Sequence, residues 1–177
     1  TLRGLTFAVE RGETLGIIGR NGAGKSSLLR LMSGLIAPDA GRILRNTESI
    51  QLLSIQLGFQ PHLTGRENAT LSGILLGMRR AEVAAAMPEI IAFSELGEQI
   101  DEPVRTYSTG MRGRLGFAVA CQAKPEVLLI DEALSVGDRG FRQKSRDYLL
   151  ERLKSDQTAV IVSHDEGMIA AECNRVL

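Results

Sequence analysis

The sequence lacks the features that would tie it to an oxidising compartment or to nucleic acid. Two cysteines among 177 residues form neither a disulfide framework nor spaced metal-binding pairs. Cys121 and Cys173 each lie in an apolar helical pattern, so we expect buried free thiols, which fit a reducing cytosolic compartment. The formal net charge is zero, which removes any global electrostatic argument for a nucleic-acid partner.

Long hydrophobic runs are also missing. No apolar run approaches the ~18 residues that span a bilayer, and no signal peptide opens the sequence. We therefore expect any membrane role to come through a partner. Aromatic residues make up only 4% of a chain that is 44% hydrophobic and has no tryptophan. A core of aliphatic residues is typical of an α/β fold, and this length suffices for one compact domain.

A glycine-rich segment carries the first positive signal. Residues 19–26 read G-R-N-G-A-G-K-S, which matches the phosphate-binding pattern G-x-x-x-x-G-K-[ST] at every fixed position. An apolar run over 14–18 predicts a strand before it, and residues 27–32 predict a helix after it that stops near Gly34. Strand, loop and helix are the context that this pattern requires, whereas a chance glycine-rich turn would need neither element.

The residue types in this loop predict its chemistry. Glycines let the backbone wrap closely around a polyphosphate, and the helix N-terminus adds a partial positive charge. The Lys25 ammonium is expected on the outer phosphates, and the Ser26 hydroxyl is expected to hold Mg²⁺. The predicted nucleotide contacts here are Gly19, Asn21, Gly22, Ala23, Gly24, Lys25, Ser26 and Ser27.

Periodicity divides the rest of the chain into an α/β core and a helical insertion. Further strands are predicted over 5–9, 42–44, 127–130 and 159–162, and helical segments over 64–96 and 114–123. Thr64 and Glu67 have the spacing of a capping box. Val83, Met87, Ile90 and Ile91 share one helical face, with a kink or restart expected at Pro88.

Two strand ends carry polar residues suited to phosphoryl transfer. Asp131 and Glu132 follow the apolar run 127–130, at the edge where open α/β sheets bind ligands. Asp131 would belong to the Mg²⁺ shell and Glu132 would activate the attacking water; the alternative is a solvated acidic turn. His164 ends the next apolar run and could reach a γ-phosphate, although a hydrogen-bonded structural histidine is the simpler interpretation.

These residues, together with residues 107–111 (Y-S-T-G-M), resemble the nucleotide-binding subunit of ABC transporters. The family signature reads L-S-G-G-Q, with Arg114 at its usual basic position and Asp138 at the acidic position of the D-loop. The resemblance implies a phosphate-loop NTPase (RecA-like) core with a helical ABC-type subdomain and an N-terminal antiparallel β portion. It places the core at 1–56 and 124–177 and the subdomain at 57–123, in one domain that we expect to be trimmed at both ends.

The resemblance also implies a mechanism. Two copies would meet head to tail as a homodimer and hydrolyse Mg-ATP between them. The core residues Lys25, Asp131, Glu132 and His164 of one copy would face the signature of the other. The signature contacts would be Ser108, Thr109 and Gly110. ATP would join the copies and hydrolysis would separate them, moving an integral membrane permease at the cytoplasmic face of the cell membrane.

Three segments indicate which branch of the ABC transporter family the chain resembles. Residues 63–68 (L-T-G-R-E-N), 106–111 and 131–138 look like those of ATPases that export cell-surface polysaccharides, with teichoic acid and O-antigen exporters nearest. Their lipid-linked glycans are handled by the membrane subunit, without direct nucleic-acid contact. The alternatives are another ABC transporter, a soluble ABC-type ATPase acting on nucleic acid or ribosomes, a small-molecule kinase, and a nucleotide-binding module without turnover.

The family's Q-loop glutamine has three candidates. Gln51, Gln56 and Gln60 compete, and Gln56 is favoured as a ligand of nucleotide and metal, unless all three are surface residues. Segment 58–76 is expected to receive the permease. Most of its apolar residues should fill the helical subdomain, with Phe59 and Leu63 as candidates for exposed contacts.

Overall fold

The computed structural model describes residues 2–20, 22–47, 49–53, 57–131, 137–163 and 166–177. These residues belong to two compact units. The sheet unit comprises Thr1–Leu53, Pro125–Leu134 and Arg146–Leu177, and the helical unit comprises Ser54–Lys124 and Ser135–Ser145.

The sheet unit is built on five parallel strands. They are β1 (Thr14–Ile17), β2 (Ile50–Leu52), β3 (Val127–Ile130), β4 (Thr158–Val162) and β5 (Arg175–Val176). Their order is β2-β3-β4-β1-β5, and every neighbouring pair is parallel. Every residue of β1 and β4 is buried, as expected for strands with both faces covered. The predicted α/β class is therefore confirmed.

Helices cover both faces of this sheet. On one face, Leu28 and Leu29 of α1 (Lys25–Ser33) pack with Leu15 and Ile17 of β1. On the other face, α6 (Glu166–Glu172) packs its Ile169 side chain against Gly16 of β1, where an added Cβ would lie only 2.7 Å from Ile169 Cγ2. The predicted end of α1 is confirmed: Gly34 caps it with a left-handed φ of 82°.

The helical unit contains α2 (Gly65–Leu75), α3 (Arg80–Ser94), α4 (Thr109–Gln122) and the first turns of α5 (Arg139–Leu153). Two short 3₁₀ turns, Gly97–Asp101 and Val104–Thr106, connect α3 to α4. The capping box predicted at the start of α2 is confirmed. Val83, Met87 and Ile90 are buried as predicted, and Ile91 is half-buried. Because α3 continues through Pro88, the helix does not restart there, and a kink at Pro88 stays a prediction.

The predicted N-terminal antiparallel β portion is not found among the described residues. Segments 5–9 and 42–44 carry no strand, and Leu5 and Leu44 are exposed. A strand needs a partner for its backbone N–H and C=O groups, and the described hydrogen bonds do not pair these segments. Cys121 is buried as expected, whereas Cys173 is only half-buried.

In the described part of the chain, no helix combines the length and the apolar character needed to cross a membrane.

One buried amide fixes the loop that leads into α2. Asn68 is fully buried. Its Oδ1 accepts the Gln60 N–H at 2.6 Å, and its Nδ2 lies within 3.0 Å of the carbonyl oxygens of Gln60, Leu63 and Thr64. The side chain therefore satisfies loop backbone groups that lack a ladder partner.

Asn68→Ala should lower the free energy of unfolding by about 2–4 kcal/mol, because it leaves buried backbone groups unpaired and opens a small cavity. Asn46→Ala is the matched control, because Asn46 is exposed and should change stability by less than about 0.5 kcal/mol. Urea unfolding measures both variants. Equal effects would show that the Asn68 hydrogen bonds contribute nothing net.

Candidate nucleotide-binding site

The glycine-rich loop runs from the end of β1 to the first turn of α1. Gly22 and Gly24 have φ values of 80° and 101°, a region that side-chain-bearing residues rarely adopt. The Ala23 N–H donates to the Arg20 carbonyl at 3.1 Å and closes a turn. Gly24 caps α1 without any side-chain acceptor. The first-turn N–H groups of α1 have no intrahelical acceptor either, which suits them to an anion.

The Lys25 ammonium lies on the loop itself. Its Nζ donates to the Gly19 carbonyl at 2.7 Å and to the Arg20 carbonyl at 3.2 Å. Ser26 and Ser27 follow on the first turn of α1 and are exposed. Around Gly22, an added Cβ would meet nothing within 4 Å, so the loop offers open space as well as donors. Asn21 lies outside the described residues.

The strand register brings an acidic residue to the same edge of the sheet. Ile17 pairs with Val162, and Ile161 pairs with Ile130, so Asp131 stands level with the end of β1 across one intervening strand. Two strand spacings of about 4.8 Å put the Cα atoms of Asp131 and Ile17 about 10 Å apart. Asp131 is half-buried. Glu132 and His164 lie outside the described residues.

The three candidate glutamines have different environments. Gln51 sits in the middle of β2, paired with Leu128 rather than at the carboxyl edge, and is 7% exposed. Gln60 belongs to the helical unit, where its backbone is held by Asn68. Gln56 lies outside the described residues. Both side-chain polar atoms of Gln51 are buried and find no hydrogen-bond partner among the described residues, so its amide is an unusual core residue.

The signature segment lies in the helical unit, at the N-terminus of α4. Ser108 is the cap residue, and its Oγ accepts the Met111 N–H at 3.1 Å. A hydroxyl that accepts one hydrogen bond can still donate its own proton. Ser108 and Thr109 are exposed, and Gly110 is half-buried. The start of α4 therefore presents small polar groups and first-turn N–H groups, which is an arrangement suited to an anion.

Residues 63–68 prove to be a structural unit with a defined role for most positions. The Thr64 hydroxyl and the Glu67 carboxylate complete the capping box. Arg66 forms a two-pronged ion pair with Asp101 at 2.7 and 3.0 Å. A Cβ at Gly65 would collide with the buried hydroxyl of Tyr107. The spacing of Thr64 and Glu67 predicted the capping box, whereas no local pattern indicated the contacts of Arg66 with Asp101 and of Gly65 with Tyr107.

Tyr107 anchors the signature turn beneath the surface. Its ring belongs to the core of the helical unit and is 3% exposed, and its hydroxyl donates to the Gln99 carbonyl. Burial raises the pKa of Tyr107 above its ordinary value. The phenol is therefore a neutral hydrogen-bond donor at physiological pH.

A strand, a glycine-rich loop and a helix start, with an acidic strand end at the same sheet edge, define a phosphate-loop nucleotide-binding domain. The ABC transporter family model matches residues 2–135. The chain belongs to that family.

Its relatives include two named export proteins. It is 50% identical over 173 residues to the O-antigen export system ATP-binding protein RfbB of Myxococcus xanthus, covering 98% of this chain and 40% of that protein. It is 42% identical to the teichoic acids export ATP-binding protein TagH of Listeria monocytogenes, covering 99% of this chain and 52% of that protein. The chain thus spans about half the length of these relatives or less.

A solved structure shares the fold. It is the dimeric structure of a post-hydrolysis state of the ATP-binding cassette MJ0796 bound to ADP and Pi. The TM-score is 0.73 at 23% identity, covering 97% of this chain and 82% of that one.

Gln51→Met should raise the free energy of unfolding by about 1–2 kcal/mol, because it removes two buried unpartnered polar atoms while keeping the volume. Gln157→Met is the matched control and should be destabilising, because the Gln157 amide donates to three carbonyl oxygens and accepts from Arg152. Chemical denaturation compares the two. A loss of stability in Gln51→Met would reveal a partner for its amide.

Proposed function

We propose that this chain is the ATP-hydrolysing motor of an ABC transporter that exports a lipid-linked cell-surface polysaccharide of the O-antigen or teichoic acid type. The observation that carries the ATPase part is the shared sheet edge, where the phosphate loop and Asp131 end level with each other. The polysaccharide part is supported by 42–50% identity to the named export proteins over nearly the whole chain.

The loop fits a nucleotide polyphosphate. Gly22 and Gly24 hold conformations that keep the backbone N–H groups accessible, and α1 begins without a competing side-chain cap. Gly19 and Ser27 frame the two ends of this cradle. Lys25 would exchange its hydrogen bonds to the loop carbonyls for charge-assisted hydrogen bonds to the outer phosphates.

A divalent metal also fits the donor set. The Ser26 hydroxyl and the Asp131 carboxylate are oxygen ligands of the type that Mg²⁺ prefers, and we include Gln56 as a third ligand from the resemblance. When bound, Mg²⁺ would neutralise phosphate charge. We assign water activation to Glu132 and a γ-phosphate contact to His164, both on the resemblance to the family.

A second copy would complete the site. The start of α4 offers Ser108, Thr109 and Gly110 as small donors that a neighbouring protomer's nucleotide could accept. This supports a head-to-tail homodimer in which the signature of one protomer covers the phosphate loop of the other. The MJ0796 ATP-binding cassette, which shares the fold, is itself dimeric in its post-hydrolysis state.

Transport requires a membrane subunit, because the proposed motor would act on a permease that handles the glycolipid. We place the chain at the cytoplasmic face of the membrane through that partner, with no direct nucleic-acid contact. Within segment 58–76, Ile74 and Leu75 are 44% and 52% exposed, whereas Phe59 packs on the helical core and Leu63 is half-buried. Ile74 and Leu75, rather than Phe59 and Leu63, are therefore the apolar contacts that we offer to the permease.

Lys25→Ala should weaken ATP binding at least tenfold and abolish hydrolysis, because it removes the cation that pairs with the outer phosphates. Lys154→Ala, at an exposed lysine in the same unit, should retain both properties. Fluorescent-nucleotide titration and phosphate release measure them. Wild-type turnover in Lys25→Ala would refute the assignment of this loop.

Ser108→Arg should abolish the ATP-dependent dimer without changing ATP binding by the monomer, because the added bulk and charge lie on the signature and not on the phosphate loop. The test is best made in a Glu132→Gln background, where slow hydrolysis should let the ATP-bound dimer accumulate. Ser155→Arg is the matched control at an exposed serine. Size-exclusion chromatography with light scattering reads the outcome, and a persistent Ser108→Arg dimer would contradict the head-to-tail arrangement.

A further inference from the structure

Glu95 has an uncommon backbone conformation. It is the one non-glycine residue with positive φ in the described ranges, at 58°, and it caps the C-terminus of α3. Left-handed caps are usually glycine or asparagine, because other side chains are strained there. Such strain persists only where surrounding contacts hold the residue in place, so the contacts of Glu95 must stabilise this conformation.

The Glu95 carboxylate joins three helices. Its Oε1 accepts a hydrogen bond from Lys144 Nζ of α5 at 2.7 Å, and its Oε2 lies 3.6 Å from Arg114 Nη1 of α4. Lys144 also donates to the Phe93 carbonyl at 3.0 Å and lies 4.7 Å from the centre of the Phe93 ring. One acidic side chain therefore connects the end of α3 to the signature helix and to α5.

An aromatic cluster lies at the same junction. The rings of Phe93, Phe117 and Phe141 come from α3, α4 and α5, with centroids 5.7–6.0 Å apart. Such contacts favour a close approach of the three helices. They constrain the separation of the helices more than their rotation, which the hydrogen bond of Glu95 to Lys144 and its ion pair with Arg114 restrict.

The first turns of α4 and α5 meet beside this junction. Asp138 Oδ1 accepts the Phe141 N–H at 3.0 Å and so caps α5. That bond, aided by the charge of Arg114, holds the pKa of Asp138 below its usual value. An added Cβ on Gly110 would lie 3.9 Å from Gly137 Cα. The signature and the segment that follows the acidic strand end are therefore neighbours within the helical unit.

We propose that Glu95 is a positioning residue for ATP hydrolysis. Through Lys144 and Arg114 it fixes the start of α4 relative to the start of α5. This holds Ser108 and Gly110 in the arrangement that reaches a partner protomer's nucleotide. The proposal rests on the proposed function and names a residue outside the phosphate loop, the acidic strand end and the signature.

Glu95 and Lys144 are partly exposed, so their ion pair can position α4 without contributing much to the free energy of folding. The Glu95 side chain is 50% exposed and that of Lys144 is 37% exposed, and ion pairs of this kind contribute little to the free energy of folding. A small change in the angle of α4 would nevertheless displace Ser108, and misplaced groups lose catalytic efficiency steeply. Loss of the Glu95 charge should therefore reduce activity more than stability.

The test compares Glu95→Gln with Glu98→Gln, a matched change at an exposed glutamate in the following 3₁₀ turn. Glu95→Gln should lower turnover at saturating ATP about tenfold. It should leave ATP affinity of the monomer within about twofold and lower the melting temperature by less than about 3 °C. Glu98→Gln should match the wild type. Unchanged turnover in Glu95→Gln, or a loss of monomer affinity, would overturn the proposal.

A double-mutant cycle tests whether Glu95 acts through Lys144. Lys144→Gln should reproduce the loss of turnover, and the double variant should lose no more than either single variant. Additive losses would mean that Glu95 and Lys144 act separately, which contradicts the proposal.

Amide hydrogen exchange provides a readout that does not need hydrolysis. The N–H groups of Met111 and Arg112 bond to the Oγ and the carbonyl oxygen of Ser108. In nucleotide-free protein, Glu95→Gln should speed their exchange several-fold, whereas Glu98→Gln should not. A wild-type protein without ATPase activity would refute the proposed function alone. Equal exchange in Glu95→Gln and wild type would refute the role of Glu95 itself.

Discussion

The parallel ladder from β1 through β4 to β3 sets the level at which each strand ends. Ile17, Val162 and Ile130 finish their strands within one residue of a common line. Beyond that line come Ser163 and Asp131, and the glycine-rich loop begins at Gly19, one residue after Ile18. The glycine-rich loop and Asp131 are neighbours across the sheet edge only because of this alignment. A parallel sheet supplies this alignment, because its strands run in one direction and their carboxyl ends meet at one edge.

The helix ends could be predicted from the sequence, because the residues that cap a helix lie close to it in the chain. Gly34 ends α1, and Thr64 with Glu67 starts α2, because caps are satisfied by residues a few positions away. The strands expected over 5–9 and 42–44 did not form, since alternating apolar residues make a strand only beside a partner. The phosphate loop and Asp131 were readable as motifs, whereas the junction of Glu95 with Arg114 and Lys144 joins residues distant in the chain, and no local pattern indicates it.

Residues 63–68, which carry part of the family resemblance, have structural roles at the start of α2. Its polar residues cap α2, pair with Asp101 and hold backbone groups, and its glycine makes room for Tyr107. These interactions stabilise one shape of the loop that leads into α2.

Gly16 limits which substitutions the contact between β1 and α6 can accept. The side chains of Ile169 in α6 and of Cys173 just after it fill the space over Gly16 of β1, and a Cβ at Gly16 would lie only 2.7 Å from Ile169 Cγ2. A larger residue at position 16 would therefore push the helix or the strand aside three residues before the glycine-rich loop begins at Gly19. Substitutions at position 16 and at Ile169 are thus restricted by the geometry of a loop that neither residue belongs to.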